Sequence, residues 1–153
     1  MNNNRLIDIR EQAELNQAEM AEILLTTQSN YSRWETGTEF IPLSKLNLFC
    51  NYFHLNMDYI MRLEREKKDI SKVSLDKTTI GKNLKHLRKE LKITQKDISN
   101  LLNTSQSTIS AYEAGKTLIL TSFAYQICKK YGISMDWLCG RESKMFLTIN
   151  SKK

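Results

Sequence analysis

The feature that most constrains this chain is that it repeats itself. Laid over itself at an offset of 78, residues 5–62 align with 83–140 without a gap, and 15 of the 58 positions are identical. The identical pairs include Arg10 with Arg88, Gln17 with Gln95, Gln28-Ser29 with Gln106-Ser107, Glu35 with Glu113, Gly37 with Gly115, Cys50 with Cys128 and Met57-Asp58 with Met135-Asp136. Many other pairs exchange one apolar residue for another, such as Met20/Ile98, Trp34/Tyr112 and Tyr59/Trp137. A register that holds through both apolar and turn positions means two copies of one module. Each copy is about 60 residues, enough for a single helical core. The expected organisation is a first domain over 1–63, a linker over 64–79, a second domain over 80–141 and a tail over 142–153. The linker carries nine charges, and its few apolar residues (Ile70, Val73, Leu75) follow no sustained period. The last helix of the first copy reads as continuing for one turn, through Glu66. The run Met145–Ile149 stays open between a strand, an oligomer contact and a loosely packed end.

Composition narrows the class. Among 153 residues there are five Gly and one Pro, with 41% apolar and 26% charged residues, which suits a compact helical protein and excludes collagen-like and broadly disordered chains. No apolar run approaches the ~18 residues that span a bilayer. The polar start Met1-Asn2-Asn3-Asn4 lacks an apolar core of the secretory type, so the cytoplasm is the expected location and no membrane partner is expected. Three cysteines (Cys50, Cys128, Cys139) without CxxC spacing and two histidines (His54, His86) give neither a disulfide framework nor a metal-ligand pattern. There is no Gly-rich phosphate loop and no His-containing nucleophile arrangement. The sequence therefore reads as a non-enzyme without a cofactor.

The apolar spacing is helical in both copies. In the second, Leu84, Leu87 and Leu91 mark a first helix. Thr94 caps a second that contains Ile98, Leu101 and Leu102, and Asn103 ends it in a left-handed turn. Thr104 or Ser105 caps a third, with Ile109 and Tyr112 inward and Gly115 past its end. Phe123, Ala124, Ile127, Cys128 and Tyr131 define a fourth, and Ser134 caps a short fifth with Trp137 and Leu138. In the first copy the corresponding faces are Leu6/Ile9/Ala13, Met20/Ile23/Leu24, Tyr31/Trp34, Leu46/Phe49/Cys50/Phe53 and Met57/Ile60/Met61. Leu25 stands where Asn103 stands. Either that turn takes another geometry or the first copy tolerates strain, because a Leu at positive φ is unfavourable.

Two helices joined by a tight turn, the second polar on its outer face, form a helix-turn-helix. Leu15-Asn16-Gln17-Ala18-Glu19-Met20-Ala21 followed by Thr26-Thr27-Gln28-Ser29 resembles the Cro/cI-type (XRE) repressor family, and lambdoid phage repressors in particular. So does Ile93-Thr94-Gln95 through Ser107, with Tyr112-Glu113-Ala114-Gly115-Lys116 after it. Met135-Asp136-Trp137-Leu138-Cys139-Gly140 is similar to that family's last helix. The resemblance covers about 118 residues, in two copies. It implies an all-α fold: two tandem five-helix lambda-repressor-like domains joined by a charged linker. It also implies a DNA-binding transcriptional regulator, a repressor that occupies an operator on double-stranded DNA.

In such modules the third helix enters the major groove and its first turns meet base edges. Here those positions are Gln28, Ser29, Asn30 and Arg33, with Thr27 before them, and Gln106, Ser107 and Thr108, with Ser105 before them. Gln pairs bidentately with adenine and Arg with guanine. By the same resemblance Gln17 and Gln95 contact phosphate at the start of the second helix, beside Lys96 in the second copy, and Lys116 supplies another phosphate contact. The plainer alternative makes these residues a solvated helix face, and Gln17 and Gln95 ordinary first-turn residues. The resemblance implies that the pairs Arg10/Glu35 and Arg88/Glu113 are structural, each tying the first helix to the third. Cys50 and Cys128 share an apolar face and read as core.

Charge separates the copies. Residues 1–63 hold five Lys or Arg and eight acids, a net −3, whereas residues 80–140 hold nine and four, a net +5. Phosphate attraction dominates nonspecific DNA affinity, so the second copy is the expected anchor. The first either reads bases weakly with the help of tethering or has become a protein-contact domain of the kind found in antitoxins and antirepressors. Arg33 and Gln28 favour base reading. As flexible coil the sixteen linker residues span about 20–24 Å, and fully extended roughly 50 Å. Half-sites one turn apart lie ~34 Å from centre to centre, so one chain can bridge neighbours. Family members often dimerise, which makes a homodimer with four modules a further expectation.

Overall fold

The computed structural model describes residues 4–148, which form ten helices. The chain divides into two compact units, one up to Lys72 and one from Val73. The first contains α1 (Leu6–Gln12), α2 (Gln17–Ile23), α3 (Gln28–Thr36), α4 (Leu43–Phe53) and α5 (Met57–Ile60). The second contains α6 (Lys77–Glu90), α7 (Gln95–Leu102), α8 (Gln106–Glu113), α9 (Thr121–Tyr131) and α10 (Met135–Leu138). This is the all-α, twice-repeated five-helix arrangement that the periodicity and the resemblance imply.

Each core is assembled from the repeat. The pairs Leu6/Leu84, Met20/Ile98, Tyr31/Ile109, Ile41/Ile119, Phe49/Ile127, Cys50/Cys128, Met57/Met135 and Ile60/Leu138 are all buried in both units. Burying one such large side chain contributes roughly 1.5–3 kcal/mol. Cys50, Cys128 and Cys139 are buried within these cores as thiols rather than disulfides. The helix starts follow the sequence signals. Thr94 and Asp97 form a reciprocal capping box on α7, as Asn16 and Glu19 do on α2. Ser105, Thr27 and Ser134 cap α8, α3 and α10. The Asp97 carboxyl is held below its ordinary range by hydrogen bonds from Thr94, first from its backbone N–H.

The turn at Leu25 is left-handed, with φ 59°, like that at Asn103, with φ 55°. Of the two alternatives, the first copy tolerates the strain. The left-handed positions in fact form a complete set of pairs: Glu14/Lys92, Leu25/Asn103, Gly37/Gly115, His54/Gly132 and Arg62/Gly140.

The linker expectation needs correction, and the run after Met145 takes an extended form. No helix continues through Glu66: α5 ends at Ile60, Arg62 turns left-handed, and the N–H groups of Leu63 and Glu64 both bond to the Asp58 carbonyl. The chain then folds back on its own unit. Ile70 is buried and its N–H reaches the His54 carbonyl at 3.2 Å, Lys68 N–H reaches Asn56 Oδ1 at 2.8 Å, and Leu55 pairs antiparallel with Asp69. The tail of the second unit repeats this return. Leu147 N–H bonds the Gly132 carbonyl at 2.9 Å, Ser134 N–H bonds the Met145 carbonyl at 2.8 Å, and Ile133 pairs antiparallel with Phe146. At the other end of the expected linker, Asp76 caps α6, which begins at Lys77. What stands outside both the first return and α6 is 71–76, about 20 Å if fully extended rather than the longer span the sequence suggested. Ile149 and the rest of the C-terminus lie outside the described residues.

Candidate nucleic-acid interface

A recognition helix is useful only if it is held still, and in each unit one carboxylate does the holding. Glu35 on α3 receives both Arg10 Nε and Arg10 Nη2 from α1. The same carboxylate accepts Gln17 Nε2 from α2 at 2.9 Å, while Arg10 Nη1 reaches the Leu15 carbonyl at 2.8 Å. The second unit repeats the clamp. Arg88 Nε and Nη2 lie 2.7 and 3.1 Å from Glu113, Gln95 Nε2 lies 3.0 Å from it, and Arg88 Nη1 reaches the Ile93 carbonyl. Paired bonds from the planar guanidinium fix direction as well as distance. The structural reading of the Arg/Glu pairs therefore holds.

The clamp is more deeply buried in the first unit, where Tyr31 replaces Ile109. The Arg10 and Glu35 side chains are 10% and 2% exposed, against 16% and 5% for Arg88 and Glu113. Burial opposes ionisation of Glu35, but the bonds from Arg10 and Gln17 outweigh it and hold the carboxyl below the ordinary range. The Glu35 bond in turn raises the pKa of Arg10, and burial together with Glu35 pushes the Tyr31 hydroxyl far above its usual value. Arg88 is likewise raised by its bond to Glu113.

This geometry places Gln17 and Gln95 differently from a simple phosphate contact. Both are half-buried, and one amide hydrogen of each is committed to the clamp. The second amide hydrogen of each is not used by the clamp. Gln95 does more: its Oε1 accepts Gln106 Nε2 at 3.4 Å, so α7 orients the first side chain of α8.

Thr27 and Ser105 are N-caps before they are anything else. Thr27 Oγ1 accepts the Asn30 N–H at 3.1 Å and Ser105 Oγ accepts the Thr108 N–H at 3.2 Å. The Ser105 hydroxyl is also shared with Ser107 Oγ and Thr108 Oγ1, at 3.0 and 2.9 Å. Gln28, Ser29, Gln106 and Ser107 are exposed at the helix starts, while Asn30 and Thr108 are half-covered. Lys96 on α7 and Lys116 past α8 are exposed, and Lys77 Nζ lies 3.4 Å from the Lys116 carbonyl.

Arg33 is not free on the helix. Its Nη2 donates to Asn30 Oδ1, its Nη1 lies 3.4 Å from Ser29 Oγ, and its Nε lies 3.2 Å from Glu39 Oε2 in the loop after α3. Asn30 is itself anchored to Thr26 Oγ1 at 3.1 Å. Sequence reasoning named Arg33 but missed this grip, because a residue six positions on, beyond a left-handed Gly37, shares no helical face with it.

The surroundings of the two faces differ in sign. Glu14, Glu19 and Glu22 are exposed near α2, and the residues at the same repeat positions are Lys92, Asp97 and Asn100. Ala18 and Thr38 correspond to Lys96 and Lys116. Among the described residues no group of His, Cys, Asp and Glu could hold a metal, and no helix is long and apolar enough to cross a membrane.

The chain is similar in sequence to known proteins. The helix-turn-helix domain family matches the chain twice, over residues 3–66 and 81–143. The antitoxin PezA of Streptococcus pneumoniae serotype 4 (strain ATCC BAA-334 / TIGR4) is 36% identical over 66 residues. That alignment covers 43% of this chain and 41% of PezA, so the chain spans well under two thirds of that relative. A transcriptional regulator from Listeria innocua, known from a crystal structure, is 25% identical over 48% of this chain and 68% of its own, with a TM-score of 0.39.

Proposed function

The chain belongs to the helix-turn-helix domain family in both of its halves, and on that premise we propose that it is a sequence-specific regulator of transcription. It binds double-stranded DNA and represses by occupying an operator. The observation that carries this reading is the exposed start of α8. Gln106 and Ser107 stand outward there, Gln106 is steered by Gln95, and Lys96 beside Gln95 on α7 and Lys116 past the end of α8 are exposed. Gln106 supplies adenine recognition, Ser107 and Thr108 supply weaker contacts, and the lysines supply phosphate attraction. The second unit is the anchor. The first contributes Gln28, Ser29, Asn30 and Arg33 from an acidic surface, as a weaker reader whose short tether raises its local concentration to about the millimolar range. No cofactor enters this scheme, and neither unit is assigned a catalytic role.

A second reading is supported by the exposed Glu14, Glu19 and Glu22 and by the antitoxin relative: the first unit contacts a protein instead of DNA. Selection of the full chain against a random duplex library at near-physiological salt separates the two. Two spaced half-sites are the result expected if both units, or a homodimer, read DNA. A single half-site, unaltered by replacing Gln28 and Arg33 with Ala, assigns the first unit to protein contact. Retention that is only salt-sensitive, with no enriched motif, overturns the proposal.

A further inference from the structure

The grip of Glu39 on Arg33 has no equivalent in the other copy of the fold. At the matching repeat positions the second unit has Thr117 and Ala111, neither of which is charged. In the first unit the cation of the recognition helix lies back along the helix toward its N-terminal turns, with Nη1 and Nη2 on Ser29 and Asn30 and only Nε on Glu39. It is held there at these three points. A guanidinium spent in this way does not present a free fork to guanine. Bidentate recognition of O6 and N7 needs two N–H groups aimed outward at once. Glu39 also places a carboxylate beside a helix that must approach phosphates, which adds a repulsive element to the missing attractive one.

We propose that Glu39 is a specificity-determining residue that restrains Arg33 and sets how strongly the first unit reads DNA. The proposal rests on the DNA-reading role assigned above to the first unit. The arrangement works as a graded restraint. Arg33 and Glu39 are 42% and 53% exposed, so water screens the pair and a correct base can displace the carboxylate. A half-site with guanine under Arg33 exchanges one partner of the guanidinium for two base acceptors and is favoured. A half-site without it leaves Arg33 latched and Glu39 facing phosphate. The carboxylate thereby removes nonspecific affinity from the first unit while sparing its matched site. The acidic balance of that unit acts in the same direction.

The test uses the full chain and a random duplex pool, followed by titration of the duplex that the wild-type chain enriches and of a scrambled duplex. Glu39→Thr, which installs the residue of the second unit, is expected to raise affinity for the scrambled duplex by about tenfold and to narrow the gap between matched and scrambled DNA. The double variant Arg33→Ala with Glu39→Thr is expected to lose most of that gain. In the DNA-free protein the Arg33 Nε–Hε resonance is expected to shift on Glu39→Thr. Equal gains with and without Arg33 would mean that Glu39 acts only as a repelling charge, which overturns the latch. An unchanged resonance, or affinity and motif unchanged by Glu39→Thr, overturns it as well. If the wild-type chain enriches no motif, the DNA-reading role itself fails and the latch with it. If it enriches one, and Glu39→Thr changes neither that motif nor the affinity for the scrambled duplex, the latch alone fails.

Discussion

The first and second units are two solutions to one backbone. They share five helices, a three-helix clamp on a single carboxylate and five left-handed positions at matching places, yet they fill those positions differently. The second unit places Gly at three of the five and Asn at a fourth, whereas the first has Gly at one and Glu14, Leu25, His54 and Arg62 at the others. A side chain in that conformation costs about 1 kcal/mol or more, and least for Asn. The first unit therefore carries more backbone strain, and Leu25 is in addition 77% exposed. It sets against this a deeper clamp under Tyr31. The comparison separates what the fold requires from what it permits. The clamp, the caps of the second and third helices and the core register are kept, while surface charge and turn residues diverge, and with them the strength with which each unit is expected to hold DNA.

The largest effect should come from breaking the clamps. Arg10→Ala and Arg88→Ala each leave a carboxylate that has lost its cation, a loss of about 3–5 kcal/mol for a buried pair. Native-state hydrogen exchange, resolved along the chain, reports each unit separately. Arg10→Ala is expected to cost more, since its pair is better shielded. For Arg88→Ala, melting should fall by more than intrinsic DNA affinity does, and lost binding with unchanged melting would assign that arginine to the interface instead.

Base reading comes next. On a duplex selected by the wild-type chain, Gln106→Ala is expected to cost about 1–3 kcal/mol and to relax specificity at one position. Gln28→Ala should cost less. The reverse order in a binding titration would make the first unit the primary reader and break the charge-based ranking.

Relief of strain is smaller. Leu25→Asn is expected to stabilise the first unit by about 1 kcal/mol, and Asn103→Leu to destabilise the second by a similar amount. Denaturant melts of the two variants check the pair. If both are neutral, the left-handed turns carry no strain worth the name.

The smallest effect is the pH dependence. Because the folded Glu35 carboxyl titrates below its ordinary range, its contribution is fully present above the unfolded carboxylate value of about 4.3. It is lost as pH falls through the lower folded value. Glu35→Gln should flatten that acid limb for the first unit alone, read by hydrogen exchange across the pH series.

Much of this was legible beforehand because helices advertise themselves. Leu84 and Leu87, the cap at Thr94 and the stop at Gly115 follow from spacing and local chemistry, and the Arg/Glu pairs came with the resemblance. The return segments were legible only in part. They are held by backbone bonds to His54 and Gly132, which any residue can make, and each carries one buried apolar side chain, Ile70 or Leu147. Ile70, a lone apolar residue within a charged stretch, has no period to detect, whereas the apolar run around Leu147 was visible but left its partner open. The Arg33 fan was hidden for a different reason: its acid comes from a loop whose path depends on the left-handed Gly37.

The returns also show where the two copies differ in length. Leu63 and Arg141 still make the same turn 78 residues apart, each donating its N–H to the carbonyl of the paired Asp58 or Asp136. Ile70 and Leu147 bond to His54 and Gly132, which are 78 apart, but are themselves only 77 apart. The two units therefore differ by one residue between the turn and the return, seven steps in the first and six in the second. Within the extended segment such a difference would throw the buried side chain to the outer face. It falls in the loop before it, and Ile70 and Leu147 are both buried. The closing segment is thus part of the repeated unit, and its inward register holds across the difference in length.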